Sequence, residues 1–241
     1  MRPPFDAVVF DLDGTLIDTA PDLHAHLNAM LVELGRPGLE LEKVRPMIGD
    51  GARMLLKRGL DASGGLPDGQ DLEMLFAEFL ERYTAEPARL GSVYEGVVEI
   101  LEELAAAGVR LGMCTNKPQA PTERLLDAMG LRRFFPVALG GDSLPVKKPD
   151  AGHIRAVLDG LGADGHAVMV GDSQNDLLAA RATGIPCILV SFGYTQIPVR
   201  ELGADVVIDR MSELSAALTR LGAGPRRRSR HALTAPAARP L

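Results

Sequence analysis

Ala7-Val8-Val9-Phe10-Asp11-Leu12-Asp13-Gly14-Thr15 runs four apolar residues directly into two acids and a glycine. A β-rich apolar run without polar alternation reads as a strand buried on both faces. Similar runs stand at residues 109–114, 167–170, 186–190 and 205–208. Helical spacing lies between them, clearest over 97–107, so helices are expected to cover both sides of a parallel sheet. The expected fold class is therefore α/β, a Rossmann-like parallel sheet core. Ligands of such sheets bind beyond the carboxyl ends of the strands, which is where Asp11 and Asp13 stand.

Residues 19–91 break the alternation. Helices are expected over 22–34, 51–60 and 71–86, separated by Gly35-Arg36-Pro37-Gly38 and Ser63-Gly64-Gly65-Leu66-Pro67. A helical block placed after the first strand predicts an inserted small α-helical cap domain (19–91) on a discontinuous catalytic core (1–18 and 92–222). Residues 223–241 form a basic tail, with five arginines and no acid after Gly224, and its composition predicts disorder.

The 241 residues are 46% hydrophobic and 24% charged, the balance of a soluble globular protein. Aromatics make up only 4% and Trp is absent, which argues against a base-stacking surface. A net charge of −6 argues against a nucleic-acid partner. No apolar run is as long as a membrane span, and the first residues lack the zones of a signal peptide, so a cytoplasmic protein with no membrane partner is expected. Cys114 and Cys187 are too few for a disulfide scaffold or a Cys-rich metal site and read as buried, inert thiols.

Two acids two residues apart at a strand end suit a nucleophile beside a general acid/base, or a hard-metal site with oxygen ligands. A calcium loop would require Glu at position 22, where Asp22 stands. Past the next core strand, Thr115-Asn116-Lys117-Pro118 reads as an oxyanion site or as a helix cap. Lys147-Lys148-Pro149-Asp150 offers a cation ahead of a helix start. Gly171-Asp172-Ser173-Gln174-Asn175-Asp176 follows the 167–170 strand and places Asp172 and Asp176 near the first pair of acids, an all-oxygen cluster of the kind Mg²⁺ prefers.

Taken in order, Asp11-x-Asp13-Gly14-Thr15, Thr115-Asn116, Lys148-Pro149 and Gly171-Asp172-Ser173-x-Asn175-Asp176 resemble the four motifs of the haloacid dehalogenase-like phosphatases. Within that family, Asp18-Thr19-Ala20-Pro21-Asp22-Leu23, residues 44–52 and Gly140-Gly141-Asp142-Ser143-Leu144-Pro145 resemble the bacterial phosphoglycolate phosphatases. The chain departs from that branch at Val93-Tyr94-Glu95-Gly96-Val97, where Pro-Tyr-Pro-Gly-Val is usual. It departs again at the end of the long cap helix, where Arg82, Tyr83 and Glu86 replace the usual histidines.

The resemblance implies a Mg²⁺-dependent phosphatase that hydrolyses 2-phosphoglycolate through an aspartyl-phosphate. Asp11 would be the nucleophile and Asp13 the general acid/base, with its carbonyl also on the metal. Thr115, Asn116 and Lys148 would hold the phosphoryl oxygens. Asp172 would complete the Mg²⁺ shell with Asp11, and Asp176 would support it from behind. The expected partner is a small phosphorylated carboxylic acid, and the oligomeric state stays open between monomer and homodimer.

Specificity is expected in the cap, at the Gly49-Asp50-Gly51-Ala52-Arg53 turn. Gly49 and Gly51 permit close backbone approach, and Arg53 would pair a carboxylate. Arg53, Lys57 and Arg58 also recur at helical spacing and fit a solvated face equally well. His24 and His26 are two apart on a helix and so do not form a metal pair. The alternatives are a sugar-phosphate phosphatase or phosphomutase on the same scaffold and, from another class, a receiver-like module that is only phosphorylated. Asp13 disfavours the dehalogenase branch, because phosphate chemistry needs that second acid.

Overall fold

The structure is a computed structural model that describes residues 4–163 and 166–223, so the arginine-rich segment from 224 onward lies outside the described residues. The chain opens with β1 (Ala7–Phe10) and the two-residue strand β2 (Ile17–Asp18). Four helices follow: α1 (Ala20–Glu33), the single turn α2 (Leu41–Val44), α3 (Ala52–Ala62) and α4 (Leu72–Ala85). Strand β3 (Ser92–Val93) then pairs antiparallel with β2. The α/β alternation resumes with α5 (Val97–Ala106), β4 (Arg110–Cys114), α6 (Gln119–Ala128), β5 (Val137–Leu139) and α7 (Ala151–Gly160). It ends with β6 (Ala167–Gly171), α8 (Gln174–Thr183), β7 (Cys187–Val190), β8 (Val206–Ile208) and α9 (Leu214–Gly222).

Six strands form one parallel sheet in the order β5-β4-β1-β6-β7-β8. The chain steps outward from β1 to β4 and β5, then returns to the other flank of β1 with β6. That reversal opens a crevice at the carboxyl end of β1, with the ends of β4 and β6 on either side. The apolar runs behave as their lack of alternation requires. Val8 and Phe10 enter one core cluster with Leu111, Met113 and α5, while Ala7 and Val9 enter another with Met169, Leu189 and α7. Both sides of the sheet are covered.

The helices α1, α3 and α4 pack around a third cluster built on Leu27, Leu31, Leu55, Leu56 and Phe79. Each such side chain contributes about 1.5–3 kcal/mol when fully buried, so this block carries a core of its own. Asp71 caps α4 by accepting from the backbone amides of Glu73 (2.9 Å) and Met74 (3.0 Å). Asp22, in the first turn of α1, accepts from the amides of Arg89, Leu90 and Gly91 at 2.7–2.9 Å, tying the way into the block to the way out. Among the described residues, no helix is long and apolar enough to cross a membrane. Strands β2, β3 and β5 were not expected from the sequence; they have two or three residues each, too few to show a period.

Candidate active site

Asp11 leaves the end of β1 only 6% exposed, and its Oδ1 accepts from the Leu12 amide at 2.8 Å. The chain turns sharply at once, at Gly14 (φ 78°), where a Cβ would run into the Asp172 carboxylate. Only glycine satisfies both the backbone and the space there. Lys148, just before α7, is buried and places Nζ 2.9 Å from Asp11 Oδ1 and 2.6 Å from Asp176 Oδ1. The other oxygen of Asp176 accepts from the amides of Asp172 (3.2 Å) and Ser173 (3.0 Å) and from the Ser173 hydroxyl (2.7 Å). Asp176 thus caps α8 and anchors Lys148 at once.

Asp172, past β6, accepts from the Tyr194 amide at 2.7 Å. Carboxylate oxygens of Asp11, Asp172 and Asp176 all lie within 4.8 Å of one another, and all three residues are buried. Burial pushes the Asp11 pKa up to about 6; Lys148 opposes the rise and Asp176 adds to it. Burial, then Asp176 and Asp11, push Asp172 well above the usual carboxylate range. Lys148 is itself raised, because Asp11 and Asp176 outweigh the burial that disfavours its charge. Three acids around one ammonium leave negative charge uncompensated. A compact all-oxygen donor set of that kind fits a hard divalent cation.

Asp13 has different company. Its carboxylate accepts from Lys117 Nζ at 3.0 and 3.3 Å and from the Thr19 hydroxyl at 2.7 Å. Lys117 also donates to the Tyr83 hydroxyl and lies 4.4 Å from the centre of that ring. Thr115 and Asn116 are buried at the end of β4. The Asn116 amide donates to the carbonyls of Lys148 and Gly49, both at 3.0 Å, so its side chain has no spare N–H for a ligand.

Gly49 (φ 114°) and Gly51 (φ 94°) bring the loop before α3 against the sheet end. Asn175 Nδ2 donates to Asp50 Oδ1 at 2.7 Å, and Lys147 Nζ donates to the Asp50 carbonyl at 2.8 Å. Between this loop and the strand ends lies a small cleft bordered by Asp11, Asp13, Thr115, Lys117, Gly51 and Tyr83 among others.

Arg53 corrects an expectation. It does not border the cleft; its guanidinium bonds Glu73 on the outer surface, with Nε 2.8 Å from Oε1. Helical residues turn by roughly 100° each, so with Ala52 facing the cleft the next side chain is directed away. Arg58 likewise pairs with Asp50.

Three contributors were not picked out from sequence. Lys117 sat within the quoted Thr-Asn-Lys-Pro run without a role. Tyr83, noted only as standing where histidines are usual, packs into the core of the helical block and stacks on Phe79 at 6.2 Å. Tyr194 carries no motif, yet besides its amide bond to Asp172 its hydroxyl donates to Asp18 at 2.6 Å. Asp18 in turn holds Arg45 through bonds of 3.2 and 3.1 Å. Burial opposes the Asp18 charge, but Arg45 and Tyr194 outweigh it and hold that pKa low. Cys114 and Cys187 are buried, and burial raises both thiols, Cys114 to about 12.

Known proteins match this chain over most of their length. The phosphoglycolate phosphatase of Caulobacter vibrioides is 47% identical over 83% of this chain and 85% of its own. That of Rhodospirillum rubrum is 42% identical over 91% and 96%. Among solved structures, a predicted phosphoglycolate phosphatase from Haemophilus somnus superposes with a TM-score of 0.84 at 30% identity, over 90% of this chain and 99% of that one. CbbY from Rhodobacter sphaeroides, solved with phosphate, gives 0.74 at 28% identity, over 87% and 96%. Residues 8–190 match the family described as haloacid dehalogenase-like hydrolase. With its acids at the switch point of a parallel sheet, the chain belongs to the haloacid dehalogenase-like hydrolases.

Proposed function

We propose that the protein is a phosphomonoesterase that hydrolyses 2-phosphoglycolate to glycolate and inorganic phosphate. The observation that carries this reading is the pair of acids on one strand end: Asp11 against the Lys148 ammonium and Asp13 against Lys117, both facing one small cleft. The names of the relatives from Caulobacter vibrioides and Rhodospirillum rubrum support the substrate.

An Asp11 carboxylate oxygen attacks phosphorus, and the P–O bond to the alkoxide breaks. Asp13 gives its proton to the departing oxygen, then takes one from the water that cleaves the aspartyl-phosphate. Lys148 neutralises charge on Asp11 and on the phosphoryl oxygens, while the Thr115 hydroxyl and the main chain at Asn116 orient them. Asp11, Asp172 and the Asp13 carbonyl would hold Mg²⁺, which shields the phosphate dianion from the acids when bound. Asp176 keeps Lys148 and the start of α8 in place. Residues 19–91 act as a cap on the core formed by 1–18 and 92–222, and closing it excludes water from the leaving group.

A panel of phosphate esters, with and without Mg²⁺, tests this. The highest kcat/KM is expected on 2-phosphoglycolate, with turnover lost in EDTA and restored by Mg²⁺. A higher kcat/KM on a hexose phosphate would reject the substrate, and undiminished turnover in EDTA would reject the metal.

A further inference from the structure

Lys117 is a cation in the wall of the cleft that the reaction steps above leave without a task. The neighbouring cations are committed elsewhere: Lys148 to Asp11 and Asp176, Arg45 to Asp18, Arg53 to Glu73 and Arg58 to Asp50, while Lys147, which does not border the cleft, donates to the Asp50 carbonyl. Lys117 is 4% exposed, and an ammonium buried that deeply must be matched by polar partners. Its three N–H donors meet both carboxylate oxygens of Asp13, at 3.0 and 3.3 Å, and the Tyr83 hydroxyl, so an incoming carboxylate takes over the longer of the two Asp13 contacts. The ammonium also lies 4.4 Å from the centre of the Tyr83 ring, which fixes its position, and both residues border the cleft.

Resting on the phosphatase reading above, we propose that Lys117 is the specificity-determining residue and pairs the carboxylate of a small phosphorylated acid, with Tyr83 holding the ammonium in place. The reach follows from the substrate. To receive a proton, the ester oxygen must come within roughly 2.6–3.2 Å of Asp13. In 2-phosphoglycolate the carboxylate is one methylene beyond that oxygen, and Lys117 is the cation next to Asp13, at 3.0 Å. An ammonium at that spot favours an anionic leaving group over a neutral one of equal length. The specificity contact therefore comes from the core loop after β4, with α4 positioning it, while Arg53 takes no part.

The test is the ratio of kcat/KM on 2-phosphoglycolate to that on 2-hydroxyethyl phosphate, which has a neutral alcohol where the carboxylate stands. The ratio should exceed ten in the wild type and fall at least roughly tenfold in Lys117→Met, as expected for a lost charged hydrogen bond. Lys117→Gln gives the same reading if the methionine variant fails to fold. Lys117→Arg, which retains the charge, should recover most of the preference. If both rates fall together and the ratio stays put, Lys117 serves only Asp13 and the proposal is overturned while the substrate reading stands. If the wild type shows no preference for the carboxylate, the substrate reading falls and takes this proposal with it.

Discussion

Asp11 and Asp13 stand two residues apart, yet their neighbours give them different work. Asp11 is enclosed with Asp172 and Asp176 around Lys148, whereas Asp13 opens toward the cleft between Thr19 and Lys117. Two carboxylates in unlike surroundings are the usual basis for dividing nucleophile from acid/base. Asp11→Asn should form no phosphoenzyme and show no turnover. Asp13→Asn keeps the nucleophile, so hydrolysis of an alkyl ester should fall by roughly 10²–10⁴. With p-nitrophenyl phosphate, whose leaving group needs little protonation, Asp13→Asn should give a stoichiometric burst followed by slow turnover. A burst from Asp11→Asn instead would reverse the assignment. The acids were legible in the sequence because an Asp-x-Asp-Gly turn straight after an apolar run leaves few other meanings. Lys117 was not, because only folding brings α4 and its Tyr83 against the loop after β4. Arg53 misled for the converse reason: its charge suits a carboxylate, but its helical phase turns it outward.

The sheet elements follow from their composition, and the links between the two halves follow from single polar residues. Runs such as Ala7–Phe10 declare themselves because both faces are buried; β2 and β3 do not, since two residues carry no pattern and exist as strands only through pairing. Asp22 secures that junction. In Asp22→Ala, three backbone amides of residues 89–91 lose a charged acceptor, and about 3 kcal/mol of stability should go with it. Urea unfolding would measure the loss, and a change below about 0.5 kcal/mol would show that water replaces the carboxylate. Helix α7 carries a second consequence. Its His153 is buried, and burial, then the Lys148 charge, lowers its pKa from 6.5 to about 4. The unfolded chain therefore takes up a proton below about pH 6.5 that the folded chain refuses until about pH 4. Stability should fall with pH across that window and level off beneath it. His153→Leu should flatten this part of the stability profile; an unchanged slope would assign the acid loss to other groups.

Across the whole molecule, the site gathers residues from positions 11 to 194, and only the return of the chain to the second flank of β1 brings them to one edge. That convergence has an electrostatic cost. The chain carries a net charge of −6, and the crevice concentrates three buried acids on one ammonium; Asp172 is bonded by the Tyr194 amide and, among the described residues, by no lysine or arginine. A cation that binds the folded state there and not the unfolded chain must stabilise the fold. At a concentration about a hundred times its Kd, the gain is about 2.7 kcal/mol. For a chain of this size that corresponds to a rise in Tm of roughly 5–10 °C. Asp172→Asn keeps an oxygen for the Tyr194 amide and removes one buried charge. The metal-free variant should melt no lower than the metal-free wild type, gain nothing from Mg²⁺, and turn over no substrate. If Mg²⁺ raises the Tm of Asp172→Asn as much as that of the wild type, the cation binds elsewhere. If the metal-free variant melts several degrees lower, the Asp172 charge supports the fold by itself, and the crevice is not held together at the expense of repulsion among its acids.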